Sequence, residues 1–321
     1  MKVLITGITG FAGGHLAAYL AKVKNVDVAG LDLNPPPEHF AAGPGIDVHC
    51  CNLADTGRVQ SLIERERPDA IIHLAARAQV AGAWEDAAAI MEANVVCTQS
   101  LMQAAHGGAP GARVLLISSS EVYGKVPPGQ MPITEDSPLK PNNPYSASKV
   151  AVEYIGLEYF YAFSAPVVIA RPFNHIGPGQ RGNFVVPALA SQIAEIEAGL
   201  KEPVLKVGWL DSERDFTDVR DIVRAYWLLV QKGEPGQAYN IASGGHHKIR
   251  EILDTLLELS EIRPAVESSP ELMRPSDTPL VVGDASRLRK LDRWEPRIPL
   301  KDSLSDALEF WRRATRSQLS Q

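Results

Sequence analysis

The apolar run Lys2-Val-Leu-Ile-Thr6 passes straight into Gly7-Ile-Thr-Gly10-Phe-Ala-Gly13 and then into a helical pattern. A strand, a glycine-spaced turn and a helix in that order leave few folds open. With no side chains at 7, 10 and 13, the backbone can turn tightly and an anion can approach the N–H groups that start the helix. A strand that hands over to a helix returns to its sheet through a crossover, so this turn predicts parallel strands wrapped by helices.

The same alternation continues down the chain. Short apolar runs predict strands over 3–6, 26–31, 47–49, 70–74, 114–118 and 167–171, with helices over 14–23, 56–66, 87–104 and 145–163 between them. After Arg171 the rhythm changes to a loop over 177–182, a helix over 187–198, a strand over 204–207, a helix over 218–230 and a strand over 238–241. From Ile249 onward the pattern is helical, broken at Pro264, Pro270, Pro275 and Pro279. The expected fold is α/β: a Rossmann-type doubly wound parallel sheet with a smaller, discontinuous C-terminal substrate-binding domain. Residues 1–171 and 215–243 are assigned to the dinucleotide-binding part, and 172–214 and 244–321 to the substrate-binding part.

Charge and cysteine content narrow the function classes. A net charge of −6 over 321 residues argues against a general binder of nucleic acid or of anionic membranes. The three cysteines, Cys50, Cys51 and Cys97, form no disulfide framework and no zinc-type spacing, so they are expected to be buried thiols, with no metal site. Met1 leads directly into the first strand with no room for a signal peptide, and no apolar run reaches the ~20 residues that span a bilayer. A cytoplasmic protein is expected.

At the turn, Gly7, Thr9, Gly10, Phe11 and Gly13 are the candidate cofactor-binding residues. Asp32 ends the second strand, roughly 20 residues beyond the last glycine, where a carboxylate can hydrogen-bond an adenosine ribose. Leu33, Asn34 and Pro35 come next, so a 2′-phosphate would meet an acid without a cationic partner. NAD(H) is therefore preferred, with NADP(H) left open.

Tyr145 and Lys149, in Pro144-Tyr-Ser-Ala-Ser-Lys149, lie four apart and share one helix face. A phenol beside an ammonium is expected to have its pKa lowered from about 10, and such a phenol can exchange a proton with a sugar oxygen while a nicotinamide carries the hydride. Ser118-Ser-Ser-Glu-Val-Tyr-Gly124 comes after the fifth strand, on the sheet edge where open α/β folds bind ligands.

The glycine turn, the serine run and Tyr145-x-x-x-Lys149 together resemble the extended short-chain dehydrogenases/reductases over nearly the whole chain. The resemblance implies that Ser119 aligns with the catalytic hydroxyl and hydrogen-bonds the substrate oxygen at C4. It also implies that Lys149 holds the nicotinamide ribose and that Asn52-Leu53 stands beside the adenine, where relatives commonly carry Asp-Leu. His73-Leu74-Ala75-Ala76 resembles the fourth-strand motif that passes close to the cofactor, and Asn94 a position that supports the sheet.

The second half resembles the sugar-nucleotide members, above all GDP-4-keto-6-deoxy-mannose reductases and more loosely GDP-mannose 4,6-dehydratases. The matching segments are Arg171-Pro-Phe-Asn-His-Ile-Gly-Pro-Gly-Gln180, Asn183-Phe-Val185, Lys206-Val-Gly208, Arg214-Asp-Phe-Thr-Asp-Val-Arg-Asp221, Arg274-Pro-Ser-Asp277 and Trp294-Glu-Pro-Arg-Ile-Pro-Leu300. By that resemblance Arg214 and Arg274 hold the diphosphate or ribose, Asn174 lies near the sugar and Val185 near the nucleotide. The family also implies a homodimer through helices 87–104 and 145–163. Glu121 is a candidate substrate-binding and catalytic residue, because dehydratases use a glutamate there to eliminate water. Dehydratases more usually carry Thr where this chain has Ser119. That difference, Phe11-Ala12 and the 176–179 loop favour the reductase. The alternatives are a 4,6-dehydratase, an epimerase of the same family and, against the intact Ser119, Tyr145 and Lys149, a noncatalytic NAD-binding protein.

Overall fold

The computed structural model describes residues 1–36, 46–78, 82–273 and 278–319. Its first half runs β1 (Lys2–Thr6), α1 (Phe11–Leu20), β2 (Asp27–Asp32), β3 (Asp47–Cys50), α2 (Thr56–Glu66), β4 (Ala70–His73), α3 (Ala87–Met91), α4 (Cys97–Gly108), β5 (Arg113–Ile117), α5 (Pro144–Phe163) and β6 (Val167–Pro172). The second half runs β7 (Asn174–Ile176), α6 (Val185–Glu197), β8 (Val204–Val207), β9 (Glu213–Arg214), β10 (Phe216–Asp218), α7 (Val219–Lys232), β11 (Ala238–Ile241), β12 (His247–Lys248), α8 (Ile249–Glu258), β13 (Ala265–Ser268), β14 (Leu280–Val281), α9 (Ser286–Asp292) and α10 (Leu300–Leu319).

Seven strands form the central sheet in the order β11-β6-β5-β4-β1-β2-β3, all parallel. This is the doubly wound order, which reverses direction between β1 and β4 and opens a crevice there at the carboxyl ends of the strands. Alternation along β1 makes the sheet two-sided. Val3 and Ile5 join a core with Leu16, Ile222 and Tyr226, while Leu4 joins the opposite one with Ile71, Leu101 and Val152. A third core, with Leu189, Ile193, Leu205, Ile252 and Leu308, lies among α6, α8, α10 and β8.

The structure departs from the sequence expectations at four places. α1 starts at Phe11 rather than 14, because Gly10 is its extended N-cap and the turn ends there. The helix read over 87–104 continues to Gly108 and contains one π-helical turn, Glu92–Val96. The proline-broken C-terminal stretch also contains β13 and β14, which pair with β8 and β9 and show no periodicity of their own. Cys50 is exposed, while Cys51 and Cys97 are buried.

Candidate active site

The glycine turn is shaped by contact with the fourth strand's exit. Gly7 has φ +70°, and a Cβ there would lie 2.7 Å from the Ala75 backbone nitrogen. A Cβ on Gly13 would lie 2.2 Å from the Gly7 carbonyl oxygen. Leu74 and Ala75 therefore abut the turn. Gly10 supplies no side-chain cap to α1, so the first N–H groups of that helix can serve an anion. A glycine cradle that a Cβ would fill, ahead of an uncapped helix start, fits a dinucleotide pyrophosphate.

Asp32 closes β2 beside this cradle. Its Oδ2 accepts from the Thr9 amide at 3.0 Å and the Thr9 hydroxyl at 2.7 Å, and its Oδ1 accepts from the Leu33 amide at 2.8 Å. Phe11 turns away from that carboxylate: its ring stacks on His175 with centroids 6.0 Å apart and meets His15 edge-on. It links the start of α1 to β7. Asn52 is exposed after β3, but Leu53 is buried in the core under α2 and α4, so only its backbone can face a ligand.

Asn143 and Ser146 form a capping box around Pro144, which starts α5 one residue before Tyr145. Tyr145 and Lys149 thus occupy the first two turns, and both are buried. Ser119 lies just beyond β5, where its hydroxyl accepts from the Glu121 amide at 3.2 Å and interacts with the Tyr145 phenol. The Lys149 ammonium donates to the Ile117 carbonyl at 2.8 Å and lies 5.9 Å from the Tyr145 ring centroid. Asn94, inside the π-helical turn, accepts from the Arg77 amide at 2.8 Å and donates to Arg77 O at 3.1 Å and Ser148 Oγ at 2.9 Å. A widened helical turn is a common device at functional sites. Here it braces the exit of β4 against α5.

The phenol shift is opposite to the one expected. Burial pushes Tyr145 up to about 12, the hydrogen bond to Ser119 opposes this, and the Glu121 charge adds to it. Burial likewise pushes Lys149 down to about 8 against the pull of the Glu153 carboxylate. Desolvation penalises both charged forms and is the largest cause of each shift. A phenol with this pKa is held protonated at neutral pH.

The substrate half is only partly drawn together. Asn174 starts β7 beyond the end of β6, and Val185 starts α6; both are exposed. The Arg214 Nη1 donates to the Glu213 carbonyl at 2.9 Å and the Thr278 carbonyl at 2.7 Å. Arg274 lies outside the described residues. The acids around Arg214 have structural work. Asp215 accepts from the amides of Ser243, Gly244 and Gly283, and Asp221 from those of Arg297 and Ile298. Sequence reasoning missed the buried pair Glu153–Arg171, whose sole signal was a carboxylate one turn beyond Lys149. Among the described residues no three His, Cys, Asp or Glu side chains converge as a metal site.

Known proteins resemble this chain along nearly its whole length. The family described as GDP-mannose 4,6 dehydratase matches residues 4–307. The chain is 36% identical to the GDP-6-deoxy-D-mannose reductase of Pseudomonas aeruginosa over 317 residues, 99% of each protein. It is 28% identical to the GDP-mannose 4,6 dehydratase of Drosophila melanogaster, covering 95% of this chain and 85% of that one. The solved structure of RMD from Pseudomonas aeruginosa complexed with NADPH superposes with a TM-score of 0.86 at 36% identity, over 98% of this chain and 99% of the other.

Proposed function

The chain belongs to the GDP-mannose 4,6 dehydratase family, and from that premise we propose that it reduces GDP-4-keto-6-deoxy-D-mannose at C4 to GDP-D-rhamnose. The observation that carries this is the likeness to a GDP-6-deoxy-D-mannose reductase, 36% identical across 99% of both chains. A bound reduced nicotinamide supplies the hydride. Ser119 donates a hydrogen bond to the C4 oxygen and steadies its developing charge. Tyr145, protonated at neutral pH, gives its proton to that oxygen, and the Lys149 ammonium stabilises the phenolate left behind.

Residues 1–171 and 215–243 hold the dinucleotide in this proposal, and 172–214 and 244–321 hold the nucleotide sugar. NADH is the preferred reductant because Asp32 faces the ribose position, although the solved relative was complexed with NADPH. A cytoplasmic homodimer completes it. Among the described residues no helix is long and apolar enough to cross a membrane. The 87–108 and 144–163 helices leave Met91, Val96, Tyr154, Tyr161 and Phe163 exposed, an apolar face suited to a second copy.

One observation favours a second reading. The Glu121 charge is felt at the Tyr145 phenol, and a glutamate at this position is the one that dehydratases use to eliminate water. The two readings differ in redox stoichiometry, since a dehydratase returns its hydride to the same sugar. Purified protein given GDP-4-keto-6-deoxy-mannose is expected to consume NADH in proportion to substrate. Given GDP-mannose without reductant, it is expected to form little keto sugar. The reverse pair of results would replace the reductase with the dehydratase.

A further inference from the structure

A buried ion pair beneath the Tyr145–Lys149 turns takes no part in the proton and hydride transfers. Glu153 lies one turn beyond Lys149 on the same face of α5 and is 1% exposed, and Arg171, near the end of β6, is 6% exposed. Glu153 Oε1 accepts from Arg171 Nε at 2.8 Å and from the Ser118 hydroxyl, and Oε2 accepts from Arg171 Nη2 at 2.7 Å. Arg171 Nη1 continues to the Tyr123 hydroxyl at 2.9 Å and the Glu135 carbonyl at 3.1 Å, and Tyr123 donates to Asn240 Oδ1 at 2.7 Å. One carboxylate thus joins α5 to the ends of β5 and β6, and through Arg171 to β11.

Stability alone is a poor reason for such a pair, since desolvating two charges offsets most of their attraction. Its position suggests another. We propose that Glu153 is a positioning residue for Lys149: held by Arg171, its carboxylate fixes the Ser118 hydroxyl one residue beyond the Ile117 carbonyl that accepts from the lysine ammonium, and so sets where that ammonium stands beside Tyr145. This rests on the reading of Lys149 as part of the reacting set.

The surroundings support an electrostatic role. From α5 itself, Tyr145 and Glu153 face Lys149. From β4 comes His73, held neutral by burial, and from β5 the Ile117 carbonyl. Arg171 on β6 stands behind Glu153, and Glu121 acts on Tyr145. Among these described neighbours Glu153 supplies the negative charge that opposes the desolvation of Lys149.

The test is a direct titration of Lys149 by NMR on protein labelled with ε-¹³C-lysine, read beside the pH profile of kcat. Glu153→Gln removes the charge and should lower the lysine pKa by about one unit or more, bringing the alkaline limb of kcat down with it. The KM for the keto sugar should stay near its original value. Arg171→Gln leaves the Glu153 carboxylate buried without its cation, where it takes up a proton, and should move both the same way as Glu153→Gln. Glu153→Asp should fall between the original protein and Glu153→Gln. A pair that only braces the fold predicts no lysine shift in either Gln variant, and that result overturns the proposal. Where Glu153→Gln fails to fold, an unmoved lysine titration in Glu153→Asp overturns it equally. Because the titration needs no substrate, a shifted lysine in a protein inactive on the keto sugar would uphold the positioning role and count against the proposed reaction instead.

Discussion

The Thr9 hydroxyl and the Thr9 amide both donate to one oxygen of Asp32, at 2.7 and 3.0 Å. The end of β2 is thereby fastened to the glycine turn, so one carboxylate fixes both the exit of that strand and the shape of the turn. A change at Asp32 touches both.

Cofactor choice is predicted to depend on this charge. NADH should be the better reductant, since a 2′-phosphate beside Asp32 meets like charge. Leu33 is 64% exposed, so Asp32→Ser with Leu33→Arg should shift the ratio of kcat/KM values toward NADPH by roughly ten-fold, the worth of one charged hydrogen bond. Equal efficiency with both cofactors in the unaltered protein would remove the argument.

Proton transfer is assigned to Tyr145. Tyr145→Phe keeps the ring among Ala83 and Ile90 but removes the donor, so turnover should fall roughly 10²–10⁴-fold. Binding of the nucleotide sugar should be nearly unchanged. Steady-state kinetics with calorimetry separates the two, and near-normal turnover would mean that another group supplies the proton.

Acid sensitivity should come partly from His73. Burial first, then the Lys149 charge, pushes this imidazole down to about 3, while an unfolded histidine titrates near ~6.5. Between those values the unfolded chain takes up a proton that the folded one refuses, so stability should fall as pH drops through that window and be flat in this term above it. The ring bridges Thr6 and Thr98 at 2.7 and 2.9 Å. His73→Gln removes the titration, so its melting temperature should fall less between pH 7 and pH 5 than that of the unaltered protein. Parallel declines would place the acid sensitivity elsewhere.

Anion recognition is assigned to Arg214. Arg214→Ala should weaken binding of GDP alone by roughly 1.5–3 kcal/mol, the loss of a hydrogen bond to a charged group. Undiminished affinity by calorimetry would locate the diphosphate elsewhere in the cleft.

Much of this was legible in residue order. Strands and helices near the sheet announce themselves by local periodicity, and Tyr145 and Lys149 share a face because four residues span about one helical turn. β12, β13 and β14 were not legible, because β12 and β14 span two residues each and β13 is exposed at all four positions, so none carries an alternation of its own. Glu153 and Arg171 are 18 positions apart, and neither residue type reports in sequence that it will be buried.

The amino-acid order alone determined the parallel sheet, the glycine turn and the shared helix face of Tyr145 and Lys149, all of which rest on spacing within one turn or strand. The tertiary structure alone decided their electrostatics. Lys149 was expected to lower the Tyr145 pKa, yet the phenol rises to about 12, because packing strips water from it. Desolvation is set by what the rest of the chain folds over a group, and nearest neighbours in sequence do not carry that information.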